Sequence, residues 1–429
     1  MQYTKPRGTT DLFGKDIEAF RLIEDLVREY ARVFNFHEIK TPILESRDLF
    51  TKAVGDDSDI VHKEFYDFKD KGGRDIALRP EGTAGTIRAI VENKLIEASP
   101  YPLKYFYFGP MFRYDRPQSG RQRQFHQFGV ECVGNFQISD EVNMIVLASS
   151  IISACKLNKY VLEINNIGSV KSRTLWIKEL KKYFKKYENK LTNDSKLRLE
   201  TNPLRILDDK EDGKKDFVIN APKLDKFLTE EENKYFEQVK TQLDFYKIKY
   251  TINPNLVRGL DYYTGLVFEF ISTSDKLKGQ STLIGGGGYS SLVAATGGKD
   301  VPGFGFALGV ERFIIAINEE NPTFLNQDNH LNIVFAPLDA EALKISFLLQ
   351  NILRLNGYSS DFITNTFDLK KHFKFAEFNK CKYVIIIGKK EINEKVVIIK
   401  EQNNKKEVKI KFDDVLDYFK RNIGNYSEK

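Results

Sequence analysis

From Asp16 to Phe34 the apolar residues Ile17, Phe20, Ile23, Leu26, Val27, Tyr30 and Val33 recur at intervals of three, four and seven. That single stripe predicts an amphipathic helix. Residues 63–79, KEFYDFKDKGGRDIALR, read as two strands around a Lys-Gly-Gly turn and run straight into PEGTAGTIRAI. A second hairpin is predicted in residues 105–131, YFYFGPMFRYDRPQSGRQRQFHQFGVE. Its first limb, Tyr105–Phe112, is aromatic and β-forming; its second, Gln124–Val130, sets Phe125, Gln127 and Gly129 on one face against His126 and Phe128 on the other. From about Ser169 to Tyr250 the chain becomes lysine-rich, while Trp176, Leu180, Tyr183, Phe184 and Tyr187 keep a helical period, which predicts an inserted helical domain. VFEFIS then reads as a strand. A polar, Asn-rich linker at 318–330 precedes an alternation of NIVFAPL, a helix to about Leu355, GYSSDFI, a helical LKKHFKFAEF, YVIIIG and VVIIK, the pattern of a small α/β domain.

Length and composition fit this division. The chain has 429 residues, 41% of them apolar, enough for two or more domains with sizeable cores. No apolar run approaches the 18 residues of a membrane span, and the first fifteen residues are polar without a signal core, so a cytoplasmic enzyme with no membrane partner is expected. Cys132, Cys155 and Cys381 are far apart, and the five histidines lack metal-ligand spacing, so neither a disulfide framework nor a zinc site is supported. The net charge is +6, and residues 331–429 carry 18 Lys plus Arg against 13 Asp plus Glu, so most of the surplus lies there. A basic balance suits a polyanionic partner, although a few surplus lysines are common in globular proteins.

Three stretches carry candidate chemistry. In the second hairpin, Arg113 at the strand end and Arg121 past the turn read as a phosphate clamp, because guanidinium grips phosphate in a planar, bidentate fashion; the plainer reading is a solvated basic hairpin. Glu81, Gly82 and Thr83 fall at a strand-to-helix junction, where backbone N–H groups are free and a carboxylate can hold an ammonium group; in isolation the same string is a helix cap. Four consecutive glycines in IGGGGYSSL, 284–292, permit close approach of backbone to a ligand, and the missing GKS or GKT excludes a P-loop.

FRYDRP followed by RQRQFHQFGVE resembles motif 2 of class II aminoacyl-tRNA synthetases, and in detail that of the histidyl-tRNA synthetase family. LRPEGTAG at 78–85, LVRGLDYYTG at 256–265 and GFALGVERF at 305–313 resemble further motifs of that family in the expected order, as do KPRGTTDLFG at 5–14 and NPLRILDDK at 202–210. FNFHEIKTPILE is similar to motif 1. The resemblance implies an α+β catalytic domain with an antiparallel sheet over 1–325, interrupted by the 169–250 helical insertion, and a C-terminal α/β anticodon-binding domain over 331–429. It also implies a homodimer built through motif 1, with ATP, L-histidine and tRNA-His as substrates, Mg²⁺ on the outer phosphates and no organic cofactor.

By the same resemblance Glu81, Gly82 and Thr83 bind the histidine amino group, and Arg113 and Arg258 hold the substrate carboxylate and the α-phosphate region. Arg312 takes the γ-phosphate, with Asp115, Arg121 and Glu311 completing the ATP site, and Arg258 stands where other class II enzymes place a metal. Glu131 and Tyr263 would partner the two imidazole nitrogens, with Gln127 and Tyr262 completing the pocket. Glu131, on a strand with apolar neighbours, is expected to need such a partner. Arg116 and Gln118 fall where the family reads the extra 5′ guanosine of tRNA-His. The chain departs from the family text at Gly288, usually Arg or Lys, at Ser290, usually Asp, and at Asp115, usually Glu. Two other readings are a non-catalytic relative such as the synthetase-like regulatory subunit of ATP phosphoribosyltransferase, and a synthetase for another amino acid. Arg113, Arg258, Arg312 and the C-terminal domain weigh against the first, and LVRGLDYYTG against the second.

Overall fold

The computed structural model describes the chain except for residues 1–2, 55–63, 208, 210, 261, 278, 280, 327–330, 405 and 424–429. His62 and His330, Asp208 and Lys210 of NPLRILDDK, Asp261 of LVRGLDYYTG and the last residues of the Asn-rich linker lie outside the described residues. The chain forms two compact units, Met1–Gln327 and Asp328–Lys429.

In the first unit the predicted stripe becomes the helix Lys15–Val33, which buries Ala19, Phe20, Ile23, Val27 and Ala31. After it come β1 (His37–Glu38), β2 (Leu44–Ser46), β3 (Asp67–Lys69) and β4 (Asp75–Leu78). The last three form a small sheet in the order β2-β4-β3. Asp70 closes the turn between β3 and β4 by accepting from the amides of Gly72 at 2.8 Å and Arg74 at 2.9 Å, and Gly73 takes the left-handed φ of 77° that the turn requires. Strand β4 then delivers Pro80, Glu81 and Gly82 to the helix Thr83–Glu92.

The main sheet adds β5 (Leu103–Phe112), β6 (Gln124–Val133), β7 (Tyr160–Asn166), β8 (Thr251–Ile252), β9 (Tyr263–Ser272), β10 (Thr282–Tyr289) and β11 (Gly303–Gly309). Its order is β1-β5-β6-β11-β10-β9-β7-β8, antiparallel except for the edge pairs β1–β5 and β7–β8. Alternation gives it two unlike faces. Phe128 and Val130 of β6, Phe268 and Phe270 of β9, and Phe304, Phe306 and Leu308 of β11 enter the main core, against the helices Lys15–Val33, Ile138–Ala154 and Val310–Glu320. The intervening residues of β11 are Gly303, Gly305, Ala307 and Gly309, so the opposite face is carved low along that strand.

The four glycines of β10 behave differently from the expectation of ligand contact. A Cβ at Gly286 would overlap the Gly305 carbonyl of β11, and one at Gly288 would lie 2.9 Å from the Thr264 carbonyl of β9, so both are glycine because neighbouring backbone fills the space. Only Gly285 opens toward the cleft, and there the guanidinium of Arg258 occupies the room.

Between β7 and β8 the chain is helical: Val170–Lys185, Asn193–Thr201, Leu204–Leu207, Asp216–Ile219 and Glu230–Phe245, with Trp176, Leu180, Phe184, Leu199 and Ile206 in its core. The second unit holds β12 (Ile333–Pro337), β13 (Ser360–Asp361), β14 (Tyr383–Ile387), β15 (Val396–Glu401) and β16 (Glu407–Lys411), in the order β13-β12-β14-β15-β16. Strand β12 pairs in parallel with β13 and β14, and the helices Ala340–Leu355 and Leu369–Phe378 begin at capping aspartates, Asp339 and Asp368. Among the described residues no helix is long and apolar enough to cross a membrane.

Candidate active site

A cavity of about 260 Å³ opens on the glycine-bearing face of the main sheet. Four arginines reach it from four places: Arg113 just beyond β5, Arg121 on the motif 2 hairpin, Arg258 on the loop before β9, and Arg312 in the first turn of the helix after β11. Each is held. Arg113 donates through Nε to the Pro80 carbonyl at 2.9 Å, and its guanidinium stands 5.3 Å from the ring centre of Phe125. Arg312 donates to the carbonyls of Gly120 at 2.6 Å and Thr282 at 3.2 Å. Arg258 pairs with Glu269, whose other oxygen accepts from the Thr282 hydroxyl at 2.8 Å. Arg121 pairs with Asp115, and with Glu64 at 3.3 Å. Burial, and after it repulsion from Arg113, Arg121 and Arg258, pulls the Arg312 pKa down to about 10. A guanidinium carries its positive charge at neutral pH, and the mutual repulsion of four gathered at one cavity is relieved by an anion placed among them.

Beside the cavity lies a buried cluster of carboxylates and hydroxyls. Glu131 on β6 is 1% exposed; it accepts from the Thr83 hydroxyl at 2.6 Å and from the Tyr289 hydroxyl at 2.8 Å. Burial raises its pKa to about 8 against the opposing pull of those two bonds. Register places Glu131 opposite Gly305, and Tyr289 opposite both Gly303 and Tyr263. A Cβ at Gly305 would overlap the Glu131 carboxylate, and one at Gly303 the Tyr289 ring. Glu81 accepts from the amides of Thr83 at 2.6 Å and Ala84 at 2.8 Å, so the helix-cap reading of this string holds, and burial raises its pKa. The Tyr262 ring lies 4.7 Å from that of Tyr263 and 5.8 Å from that of Tyr289, and Arg258 stands over Tyr263 at 5.7 Å. Tyr107 fills the gap between Gly82 and Gly129, where a Cβ on either would strike its ring. Of the buried polar atoms that lack a partner among the described residues, three belong to this site: the Tyr107 hydroxyl, Gln127 Oε1 and Arg258 Nε. Unsatisfied groups gathered at a cleft mark where ligand atoms complete the bonding.

The residues singled out from the sequence therefore fall in two adjoining places. Arg113, Asp115, Arg121, Gln127, Arg258, Glu311 and Arg312 line the cavity, while Glu81, Thr83, Glu131, Tyr262 and Tyr263 are buried beside it. Several contacts differ from expectation. Glu131 is already satisfied within the protein, because the register of β10 brings it the Tyr289 hydroxyl. Asp115 and Arg121 hold each other, since a half-buried arginine beside a short acid neutralises it before any adenine or phosphate arrives. Glu311 grips the His126 amide at 2.9 Å and the His126 ring nitrogen at 2.9 Å, tying its helix to β6. Arg116 and Gln118 are exposed on the hairpin loop, where Gln118 and Arg121 exchange backbone hydrogen bonds at 3.0 and 2.9 Å around Gly120 at φ 70°. Sequence reasoning missed Tyr107, Tyr289 and Glu269. Two of them had a signal: glycines on the site face of β6 and β11 leave room for a ring or a carboxylate from elsewhere.

A hairpin, a loop and a helix set on one antiparallel sheet, converging cations on a cavity beside a buried polar pocket, is the arrangement of a class II aminoacyl-tRNA synthetase. Residues 8–313 match the family profile of histidyl-tRNA synthetase, and residues 329–422 match that of the anticodon binding domain. The histidine–tRNA ligase of Ureaplasma parvum is 48% identical over 97% of this chain and 99% of its own length. That of Bacillus subtilis is 38% identical over 98% and 99%. An apo S. aureus histidyl-tRNA synthetase superposes with a TM-score of 0.83 at 34% identity, covering 98% of this chain and 100% of that one. The chain belongs to the histidyl-tRNA synthetase family.

Proposed function

We propose that the arginine-lined cavity and the buried cluster are the two halves of one site, in which a histidine–tRNA ligase activates L-histidine with ATP before transfer to tRNA-His. The observation that carries the reading is the convergence of Arg113, Arg121, Arg258 and Arg312 on one cavity, with the Arg312 pKa depressed by burial and by the other three. In the first step a histidine carboxylate oxygen attacks the α-phosphate of ATP and pyrophosphate leaves. Catalysis of such a step is mainly positioning and electrostatic stabilisation where charge develops. Arg113 and Arg258 would hold the carboxylate and the α-phosphate, and Arg312, with Arg121, the outer phosphates. ATP enters as its Mg²⁺ complex, the ion belonging to the substrate. Glu81 would take the ammonium group, exchanging an amide of the helix start for a charged donor, with Gly82 keeping the approach to Tyr107 open.

Imidazole selection would rest on Glu131 and Tyr263, with Gln127 Oε1 and the Tyr107 hydroxyl offering the unspent bonds. Asp115 and Glu311 would serve ATP by orienting Arg121 and His126. Arg116 and Gln118, exposed on the hairpin loop, suit contact with the acceptor end. We read residues 1–325 as the catalytic domain, interrupted by the 169–250 insertion, and 331–429 as the anticodon-binding domain of a cytoplasmic homodimer paired through motif 1.

The test is ATP–pyrophosphate exchange by the purified protein. It should depend on histidine and stay at background with the other amino acids. A folded protein without histidine-dependent exchange overturns the reading.

A further inference from the structure

Strand β7 stops pairing with β9 where Asn166 faces Leu266, so the start of β9, which carries Tyr263, has a strand on one side only, β10. The register slips there as well. Gly288 of β10 faces Thr264 and Gly287 faces Val267, so Gly265 and Leu266 bulge between them, with Gly265 at φ 65°. On the open side the helical insertion stands in for a strand. The Ile167 amide donates to the Gly265 carbonyl at 2.8 Å, and the Gly265 amide to the Gly168 carbonyl at 2.9 Å. Half-buried Arg173, in the first turn of helix Val170–Lys185, donates through Nη1 to the Tyr263 carbonyl at 2.7 Å. Glu232 secures that turn: its carboxylate accepts from the Ser169 amide at 2.6 Å, the Ser172 hydroxyl at 2.7 Å and the Thr229 amide at 2.7 Å, joining the starts of helices Val170–Lys185 and Glu230–Phe245. Arg173 also lines a cavity of about 400 Å³ together with Val257, Arg258, Gly259 and Leu260 of the Arg258 loop.

We propose that Arg173 is a positioning residue for histidine recognition: from the insertion it holds the main chain at Tyr263, and so aims the Tyr262 and Tyr263 rings into the amino-acid pocket. The proposal rests on the function proposed above and adds to that site a residue that touches neither substrate. A bulge loosens the ladder at the very residues whose direction counts, and a site is only as precise as the groups supporting it. A small turn of the main chain at Tyr263 is magnified at the hydroxyl, which sits at the far end of the ring. A guanidinium suits the task, because its planar fork is stiff and a charged donor binds a carbonyl more strongly than a neutral one. The insertion does not depend on this bond for its own packing, since Trp176, Leu180 and Phe184 bury themselves in its core.

The full-length protein is tested as Arg173→Ala, Arg173→Gln and Arg173→Lys by histidine-dependent ATP–pyrophosphate exchange, with each melting curve recorded. Arg173→Ala should raise the KM for histidine by about 3- to 100-fold, the upper figure being the cost of a misplacement of about 1 Å, and leave the KM for ATP at the wild-type value. Arg173→Lys, which keeps a charged donor, should recover part of that loss. The double variant Arg173→Ala/Tyr263→Phe should have nearly the histidine KM of Arg173→Ala alone, because a hydroxyl already misaimed has little left to lose. If Arg173→Ala fails to fold, Arg173→Gln, which keeps most of the stem and loses the charge, takes its place in both comparisons. A folded variant with the wild-type KM for histidine overturns the proposal, and so do equal rises in both KM values or a double variant whose losses simply multiply. A wild-type protein without histidine-dependent exchange instead overturns the function on which it rests.

Discussion

The arginine cavity and the buried Glu131 cluster share one face of one sheet, and they handle charge in opposite ways. In the cavity every cation leans on a counter-group: Arg258 on Glu269, Arg121 on Asp115 and Glu64, Arg312 and Arg113 on backbone carbonyls. The guanidinium groups are thus oriented in advance, and the triphosphate of the proposed function would have to compete with carboxylates already in place. In the cluster the Glu131 carboxylate meets only hydroxyl donors, and burial pushes its pKa up to about 8 instead of pairing it with a cation. On the proposed function the first region would recognise by charge, which tolerates shape, and the second by the count and direction of hydrogen bonds, which tolerates little.

The contrast breaks most sharply at Arg258. Arg258→Ala should leave the melting curve near wild type and cut histidine-dependent exchange by roughly 100- to 1,000-fold, about 3 to 4 kcal/mol, the cost of one transition-state donor. Exchange near the wild-type rate at saturating substrates would remove Arg258 from the chemistry. In the cluster, Gly305→Ala should act through packing, because the new methyl displaces the Glu131 carboxylate. A loss of about 1 to 3 kcal/mol in stability is expected, measured by denaturant unfolding, together with a raised KM for histidine and an unaltered KM for ATP.

Tyr263→Phe removes the hydroxyl proposed to meet the imidazole and keeps the ring. It should raise the KM for histidine by an amount worth about 1 to 3 kcal/mol and leave the ATP kinetics alone. An unchanged KM would place the imidazole elsewhere.

Titration separates the regions more finely. The folded pKa of Glu131 lies above its ordinary 4.5, so its contribution to stability is fully present below pH 4.5 and is lost as pH rises toward 8. Glu131→Gln should flatten the stability profile between those limits, leaving the parallel contribution of Glu141, whose pKa burial raises to about 7. An identical pH profile in the variant would mean that Glu131 is ionised throughout. The smallest effect is expected from salt: between 0.05 and 0.2 M it should weaken ATP binding a few-fold through screening of the half-exposed cavity and leave the KM for histidine almost unmoved.

How far the sequence reveals these regions depends on how local the causes are. The helix Lys15–Val33, the motif 2 hairpin and most of the second unit repeat their pattern over many residues, so periodicity finds them. The two-residue edge strands β1 and β8 offer no period, and β16 alternates lysine and glutamate with single apolar residues, a polar run that reads as loop until β15 pairs with it. Arg113, Arg258 and Arg312 stand in recognisable motifs. Glu269 and Tyr289 act through register alone: Tyr289 reaches Glu131 because β10 and β6 flank β11, a neighbourhood that spacing along the chain does not encode. The exchange of Asp115 with Arg121 was hidden for another reason, since a side chain's choice between a neighbour and an absent substrate depends on distances across the hairpin.

The glycine face of β11 bears on how the enzyme could ever escape an inhibitor. The Tyr289 ring covers Gly303 and the Glu131 carboxylate covers Gly305, so a histidine analogue packed on those two side chains would rest on a layer that any larger residue at either glycine also evicts. Resistance by crowding out the compound would have to arise elsewhere, from the hairpin or the Arg258 loop, and there each change would also disturb the grip proposed for ATP.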